Sequence, residues 1–375
     1  MKEAAGARGS FIWPVNTARR LLAACLPVIL LAGCRPGNEP EAERPPAPEA
    51  EWYEQTRDLY YGIPVTLRFA PAHRELAARA WACLERVDDL FNDFRADSEV
   101  GRINAASMEA KLAGGKTDGQ CSFASFAVSE DLAKALRLAR ELHRGTEGAF
   151  DVTLGPVRRL WREAEKTNCF PAGKHIEDAL RLCGMGKVKL EGRRLSAPAG
   201  MSFDFGGLIK GVAVDQVIRL LRRGGARAAL VQVGGETAVF GYSPRGDRHV
   251  LGIQHPTEMA SLWTTLRDPG GGLSVSTSGN YRAGIRVGDR VFYHIFDPRT
   301  GQPVDTRVLS VTVAFRGTGR NGVADGLATA GAVLGPERFL KLLRDFGGEA
   351  LALVQEADGI RALQSPGWEK LTGKE

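Results

Sequence analysis

The chain has 375 residues, of which 43% are hydrophobic and 25% are charged. This balance provides enough apolar side chains for a large buried core and excludes a chain that is disordered throughout. The formal net charge is +6, but Lys and Arg are dispersed among Asp and Glu rather than gathered on one basic helix, so nucleic acid is not an expected partner.

The chain begins with a segment typical of an exported lipoprotein. Basic residues precede an apolar run at 21–31, which is too short to span a bilayer as a permanent helix. The run ends in a Leu-Ala-Gly string before Cys34, whose thiol can carry lipid. We therefore expect a signal peptide at 1–33 and a lipid anchor at Cys34, on the inner or outer bacterial membrane and facing the periplasm. A plain secretory signal with an incidental cysteine is the alternative.

Residues 34–51 are rich in Pro, Glu and Ala and predict a flexible tether after the lipidated cysteine. The folded domain is expected over residues 52–370. Its four cysteines show no Cys-x-x-Cys spacing, and the sequence leaves open whether one disulfide forms or all are free and buried. They are Cys83, Cys121, Cys169 and Cys183.

Helical and strand patterns are mixed along this domain without strict βαβ alternation. We therefore expect one α+β domain of mixed sheets and packed helices. Apolar spacing predicts helices at 70–94, 129–144, 157–165, 175–182, 209–223 and 323–334, the last continuing through 336–346. Short β-branched runs predict strands at 228–233, 237–242, 250–254, 291–296, 309–315 and 350–355, and polar glycine-containing segments such as 113–119 predict loops.

The string from Val323 to Ala330 contains a possible metal site. On a helix, Asp325 and Thr329 lie four residues apart and therefore on one face. A carboxylate and a hydroxyl are hard oxygen donors that suit Mg²⁺, and the Ala and Gly residues around them let another segment approach closely. A carboxylate that stabilises the helix dipole, beside a Thr bonded to a backbone carbonyl, is the alternative.

A glycine pair precedes the predicted helix at 209–223. Gly206 and Gly207 follow an apolar segment that reads as a strand, so their backbone amides can approach phosphates closely. Lys210 would add positive charge at the same place. A tight strand–helix turn without a ligand explains these residues equally well.

His294 lies in the predicted strand at 291–296, just before a turn that contains Pro298 and Gly301. A neutral imidazole can accept a hydroxyl proton or hydrogen-bond an anion. A satisfied core histidine is the alternative for a single histidine on a strand.

A Ser/Thr-rich segment at 274–280 reads as a turn that offers hydroxyl groups for phosphate or ribose contact. Generic catalytic strings are missing from the sequence, including the Gly-x-x-x-x-Gly-Lys phosphate loop, the Gly-x-Ser-x-Gly elbow and His-Glu-x-x-His. The chemistry therefore depends on a less common set of residues.

In their order along the chain, these strings resemble the ApbE family of FAD-dependent FMN transferases, in which lipoprotein leaders are also usual. The resemblance covers residues 54–366 and rests on seven motifs together rather than on any one. They are Asp97–Val100 with Ile103-Asn104, Gly148–Thr153 with Gly155-Pro156 and Trp161, Asp204–Gly211 with Ala213–Asp215, Val233–Glu236, Thr277–Gly279, His294 with Asp297–Gly301, and Ala324–Thr329.

The resemblance implies a single flavin-transferase domain that binds FAD and Mg²⁺. Carried over by position, Asp325 and Thr329 would be side-chain ligands of Mg²⁺, and Ile209 would contribute its backbone carbonyl. His294 matches the catalytically important histidine of the family. The residues expected to contact FAD are Asp204, Gly206, Gly207, Lys210, Thr277, Ser278 and Gly279, with Lys210 included for its charge rather than for the resemblance.

Four positions depart from the pattern usual in that family. Phe205 and Ile209 are bulkier than the usual Leu and Ala, and Gly326 follows Asp325 where Ala is usual. A carbonyl ligand tolerates the change at Ile209 because no side chain is required. Glu236 stands where Asn or Asp is usual, which leaves its contact with the flavin open.

The implied reaction transfers FMN from FAD to a Ser or Thr hydroxyl of an acceptor redox protein that carries a flavinylation motif, and it releases AMP. Mg²⁺ would neutralise the pyrophosphate, and His294 or a nearby carboxylate would help to deprotonate the hydroxyl. Hydrolysis of FAD to FMN and AMP is the close alternative. A flavin-binding or solute-binding lipoprotein without catalysis is a different class, against which the intact set of Asp325, Thr329 and His294 argues.

Overall fold

A computed structural model describes residues 51–60, 62–113, 122–258, 260–279, 284–304 and 307–373. The predicted leader, Cys34 and residues 35–50 of the predicted tether lie outside these ranges. Within them, no helix combines the length and the apolar character needed to cross a membrane.

The described residues form fifteen strands and nine α-helices, joined by two short 3₁₀ turns. The strands are β1 (Tyr53–Leu59), β2 (Ile63–Ala70), β3 (Phe123–Ala127), β4 (Lys189–Glu191), β5 (Arg194–Pro198), β6 (Ala228–Val233), β7 (Glu236–Phe240), β8 (Val250–Gln254), β9 (Leu262–Arg267), β10 (Leu273–Gly279), β11 (Gly284–Val287), β12 (Arg290–Tyr293), β13 (Val308–Arg316), β14 (Glu349–Glu356) and β15 (Gly359–Gln364). The helices are α1 (Arg74–Phe91), α2 (Glu99–Ala113), α3 (Glu130–Gly145), α4 (Gly155–Thr167), α5 (Gly173–Arg181), α6 (Ile209–Arg223), α7 (Asn321–Leu334), α8 (Pro336–Leu342) and α9 (Glu369–Thr372).

An eight-stranded antiparallel sheet forms the centre of the domain, in the order β1-β2-β6-β7-β10-β13-β14-β15. Smaller sheets pair β3 with β5 and β4, β8 with β9, and β11 with β12. This mixture of antiparallel sheets and packed helices confirms the α+β prediction.

Helices α1, α6 and α7 cover one face of the central sheet. The buried residues of α6 recur at the spacing of one helical face, and they join strand residues such as Val231 and Val313 in the largest hydrophobic cluster. The opposite face of the sheet holds a second cluster, in which Leu273 and Val275 of β10 pack with the β8–β9 hairpin and Trp368. Alternate residues of each central strand therefore point to different cores.

Several predicted elements are confirmed within a few residues, and three predictions are wrong. The Ser/Thr-rich segment at 274–280 is not a turn, because residues 273–279 form the central strand β10. The predicted strand at 291–296 ends at Tyr293, so His294 lies on the bend after it. The apolar segment before Gly206 is not a strand, since only Ser202 forms an isolated bridge, with Leu154.

Helix α2 and strands β1 and β2 were not predicted. The apolar residues of α2 show almost no helical periodicity, because its buried face, which carries Val100, Ile103 and Ser107, is partly polar and alanines lie outside it. Strand β1 is polar along most of its length and forms the edge of the sheet, where antiparallel pairing with β2 holds it.

The described cysteines Cys83, Cys169 and Cys183 are free. Cys121 lies outside the described residues. Burial raises the pKa of the Cys183 thiol to about 12, which makes it a small apolar core residue rather than a reactive group.

Candidate active site

Helices α6 and α7 lie against each other at backbone distance, and together they carry the predicted metal ligands. A Cβ atom on Gly211 of α6 would lie 2.2 Å from the carbonyl oxygen of Asn321, the first residue of α7. Any side chain at Gly211 would therefore push the two helices apart. This close approach brings the first turn of α6 to the start of α7.

Asp325 connects the two helices with its carboxylate. It is 1% exposed, and its Oδ2 accepts a hydrogen bond from the backbone N–H of Gly211 at 3.1 Å. Its Oδ1 lies 3.6 Å from Nζ of Lys210. Burial raises the pKa of the Asp325 carboxyl, and the Lys210 ammonium and the Gly211 N–H oppose that rise.

Lys210 lies between two buried carboxylates. Its Nζ donates to the carbonyl oxygen of Gly206 at 3.1 Å and lies 3.6 Å from Oε1 of Glu236, which is 1% exposed. Burial alone would lower the pKa of the ammonium, but the charges of Asp325 and Glu236 outweigh it and raise this pKa above its usual value. The one ammonium of Lys210 balances only one of the two carboxylates, so the three side chains together carry a negative formal charge that favours a bound cation.

Thr329 is the point at which two distant parts of the sequence meet. Its Oγ1 lies 3.4 Å from Oγ of Ser278, near the end of β10. A Cβ atom on Gly207 would lie 2.8 Å from the same Oγ1. The glycine turn, the end of β10 and the helix face that carries Asp325 and Thr329 therefore lie together.

Asp204 and Thr277 have other contacts. Oδ1 of Asp204 accepts the backbone N–H of Gly206 at 2.8 Å, and its Oδ2 lies 2.9 Å from Nε of Arg158, which is also paired with Asp93. Asp204 thus shapes the glycine turn. Oγ1 of Thr277 lies 2.9 Å from Oγ1 of Thr312, on the sheet face opposite to Ser278. Gly279 is the buried last residue of β10.

Ile209 is the first residue of α6, and its N–H donates to the carbonyl of Phe205 at 3.0 Å. Its carbonyl belongs to the first turn of the helix, where carbonyl groups point along the axis toward the residue four positions later. The backbone that contacts Thr329 is that of Gly207. The metal-ligand role of Ile209 stays a prediction.

His294 is exposed, and its ring centroid lies 4.9 Å from that of Tyr293. Its catalytic role also stays a prediction, to be tested by substitution.

A sequence model of the ApbE family matches residues 61–353. The chain belongs to the ApbE family. It is 28% identical over 360 residues to the FAD:protein FMN transferase of Vibrio cholerae, covering 95% of this chain and 100% of that protein. It is 31% identical over 317 residues to the FAD:protein FMN transferase of Treponema pallidum, covering 76% of this chain and 80% of that one.

Solved structures agree with this assignment. The apo form of the Pseudomonas stutzeri flavinyl transferase ApbE superposes with a TM-score of 0.72 at 26% identity, covering 87% of this chain and 98% of that structure. The Vibrio cholerae flavin transferase ApbE gives a TM-score of 0.71 at 28% identity, with 86% and 99% covered.

Two acidic side chains of this ApbE-family site were given no role by the sequence. Glu236 opens β7 and points to the helix-covered face of the sheet, where it meets Lys210. Asp215 lies on α6 and accepts backbone N–H groups from the start of α7. Asp215 follows Gly211 by four residues and so shares its face, which is the signal that would have marked it.

The donors at this site suit a hard divalent cation. Carboxylate and hydroxyl oxygens of Asp325, Thr329 and Ser278 surround the meeting point, beside the carbonyl groups of the glycine turn. Within the described ranges, no group of three or more His, Cys, Asp or Glu side chains is placed to hold a metal ion. The carboxylate of Asp325 and the hydroxyl groups beside it are nevertheless hard oxygen donors of the kind that Mg²⁺ takes, with substrate phosphates as further ligands.

Proposed function

We propose that this chain transfers FMN from FAD to a Ser or Thr hydroxyl of an acceptor protein and releases AMP. The observation that carries the proposal is the convergence of the Gly206–Gly207 turn, Lys210 and the Asp325–Thr329 pair at one place. Relatives that match over nearly their full length are named FAD:protein FMN transferases, and a matched solved structure is named a flavin transferase.

The glycine turn and Lys210 would bind the pyrophosphate of FAD. Gly206 is exposed and Gly207 has no side chain, so a phosphate oxygen can approach the backbone N–H of Gly207 in the turn that leads into α6. The N-terminal end of α6 and the Lys210 ammonium both favour negative charge there. Asp204 keeps the turn in this shape through its bond to the Gly206 N–H.

Asp325 and Thr329 would hold Mg²⁺ with their side-chain oxygens, helped by a backbone carbonyl from the turn that leads into α6. When bound, Mg²⁺ would neutralise the negative charge of the pyrophosphate and the charge that develops on the leaving AMP. The negative charge of Asp325 and Glu236 supports this proposal, since Lys210 balances only one of the two carboxylates.

The acceptor hydroxyl must lose its proton as its oxygen bonds to the FMN-side phosphorus. We assign this proton to His294, whose exposed ring lies on the bend after β12 and can accept it as a neutral imidazole. The bond between the FMN-side phosphorus and the bridging oxygen breaks, and AMP leaves with that oxygen and the electron pair. The acceptor then carries FMN through a phosphoester bond.

Incubation with FAD, Mg²⁺ and a candidate acceptor domain tests the proposal. We expect a fluorescent acceptor band together with AMP, and Asp325→Ala should lower the rate by at least about 100-fold with the fold retained. The exposed Asp289→Ala variant is the matched control and should keep full activity. Free FMN with AMP would mean hydrolysis, unchanged FAD would mean binding alone, and full activity of Asp325→Ala would refute the metal assignment.

We also propose that Cys34 anchors the chain to a bacterial membrane on the periplasmic side. The support is the basic leader, the short apolar run and the Leu-Ala-Gly string before Cys34. A membrane anchor would place the enzyme beside membrane redox proteins, which are the acceptor class that the family resemblance implies.

A further inference from the structure

The first N–H groups of α7 are satisfied by a side chain from α6. The residue before α7, Arg320, provides no side-chain cap. Instead, Oδ1 of Asp215 accepts the N–H of Asn321 at 2.9 Å and Oδ2 accepts the N–H of Gly322 at 2.9 Å. A carboxylate at this position also complements the positive end of the helix.

The contacts between α6 and α7 run in both directions. Asp215 of α6 accepts from the backbone at the start of α7, while the backbone N–H of Gly211 on α6 donates to Asp325 of α7 at 3.1 Å. These two contacts lie about one turn apart on each helix. Because α7 donates to α6 in one contact and α6 donates to α7 in the other, the two hydrogen bonds together fix the axial position and the rotation of α7 relative to α6.

The start of α7 is also fixed to the sheet. The side chain of Asn321 is fully buried, and its Nδ2 donates to the carbonyl oxygens of Thr237 at 2.9 Å and Val275 at 3.0 Å. Thr237 follows Glu236 on β7, and Val275 lies on the strand that ends beside Ser278. The first residue of α7 thus contacts α6, β7 and β10.

We propose that Asp215 is a positioning residue that sets the affinity of the site for its divalent cation. It acts through the axial position of α7, on which Asp325 and Thr329 lie about 6 and 12 Å beyond Asn321. A small displacement at the start of the helix moves both ligands relative to the glycine turn. This inference rests on the proposed metal-dependent function.

The charge of Asp215 is maintained at neutral pH. Burial raises the pKa of its carboxyl to about 6, while the N–H groups of Gly322 and Asn321 and the nearby charges of Arg219 and Arg320 oppose the rise. The carboxylate form, which accepts two hydrogen bonds, is therefore the main form at pH 7 and above.

The test is Asp215→Asn in the full chain, because Asn keeps the size of the side chain but retains one acceptor oxygen in place of two. The dissociation constant of Mg²⁺ alone is measured by calorimetry without FAD, and stability is measured by urea unfolding in EDTA. We expect the Mg²⁺ dissociation constant to rise about 10- to 100-fold. At saturating Mg²⁺, kcat should recover toward the unmodified value.

Asp268→Asn is the matched control. Asp268 is also a buried carboxylate, and its Oδ1 accepts two backbone N–H groups, from Gly270 at 2.9 Å and Gly272 at 3.1 Å. It belongs to the loop between β9 and β10 and contacts neither α6 nor the metal pair. We expect this variant to lose stability while its Mg²⁺ dissociation constant stays within about twofold of the unmodified value.

A Mg²⁺ dissociation constant unchanged in Asp215→Asn, or raised equally in both variants, overturns the positioning role and leaves the proposed function intact. Failure of the unmodified chain to bind Mg²⁺ overturns the proposed function and this inference with it. If Asp215→Asn does not fold, Asp215→Ser, which keeps one hydroxyl acceptor, carries the same measurement and the same criteria.

Discussion

At the scale of single residues, the site depends on Lys210. One ammonium lies 3.6 Å from a carboxylate oxygen of Asp325 and 3.6 Å from one of Glu236, and both acids are almost fully buried. A buried charge that loses its partner is strongly destabilising, since neither water nor a counter-ion replaces it. Lys210 therefore stabilises the metal-free site, in addition to its proposed contact with phosphate.

Replacement of Lys210 by Met tests the first of these roles, the stabilisation of the metal-free site. We expect Lys210→Met to lower the free energy of unfolding in EDTA by about 3 kcal/mol, because two buried carboxylates are then left without a cation. Saturating Mg²⁺ should restore more stability to this variant than to the unmodified chain. Urea unfolding with EDTA and with Mg²⁺ measures both effects.

Lys187→Met is the control for that experiment, since Lys187 is exposed and its Nζ donates to the backbone carbonyls of Arg181 and Cys183 rather than to carboxylates. It should show no Mg²⁺-dependent difference. Equal stability losses in the two Lys variants would contradict the counter-ion role of Lys210.

Single residues also show how far sequence reasoning reaches. Asp325 and Thr329 were paired correctly, because a four-residue spacing on a helix fixes a shared face whatever surrounds it. The contact of Glu236 with Lys210 was not predictable, because 26 residues separate them and the pairing of β6 with β7 decides where Glu236 points. The spacing of residues along the sequence determines which of them share a helix face. Only tertiary packing determines which residues that face contacts.

At the scale of elements, α6 and α7 act as a pair. The absence of a side chain at Gly211 lets the two backbones meet, so that the Gly211 N–H reaches Asp325. The sequence predicted both helices closely, α6 at its observed bounds. It did not predict their contact, because an apolar helical face shows that a helix is buried but not against which partner.

Gly211→Ala should disturb the site through this helix pair. The added Cβ would lie 2.2 Å from the carbonyl oxygen of Asn321, so we expect a loss of about 1–3 kcal/mol in the free energy of unfolding and weaker Mg²⁺ binding. Gly173→Ala is the control, since a Cβ there meets nothing within 4 Å. Thermal unfolding with and without Mg²⁺ gives both quantities, and unchanged Mg²⁺ binding in Gly211→Ala would contradict the tight pairing.

Strand β10 is an element whose type the sequence analysis predicted wrongly. Its Ser/Thr-rich composition reads as a turn, yet the serines at 274, 276 and 278 face α7 while Leu273 and Val275 face the second core. Buried hydroxyl groups are tolerated in this central strand because backbone carbonyls of a neighbouring segment, such as those of Gly317 and Asn321, accept their hydrogen bonds.

At the scale of the whole molecule, the central sheet places β7 next to β10 and brings segments more than 120 residues apart in the sequence to one site. The proposed leader and lipid anchor precede the described domain in the sequence, so the proposed localisation and the proposed activity can be tested separately.

Cys34→Ala should release the protein from the membrane without loss of FMN transfer by the soluble domain. The reason is that one cysteine thiol carries the proposed lipid, and no helix of the described residues is long and apolar enough to cross a membrane. Fractionation and incorporation of labelled palmitate measure the effect, with Cys169→Ala, an exposed free cysteine, as the control. Recovery of the unmodified protein in the soluble periplasmic fraction would favour the plain secretory signal.

The sequence by itself determined the fold class, the bounds of the strongly periodic helices, the family and the helix face that carries Asp325 and Thr329. These properties follow from periodicity and from short strings, which are local. Only the tertiary structure decided that Lys210 lies between two buried acids, that Thr277 and Ser278 point to opposite cores, and that Asp215 caps α7. Each of these depends on which strand pairs with which and on how closely two helices approach, and such non-local contacts are fixed by packing of the whole chain rather than by any one segment.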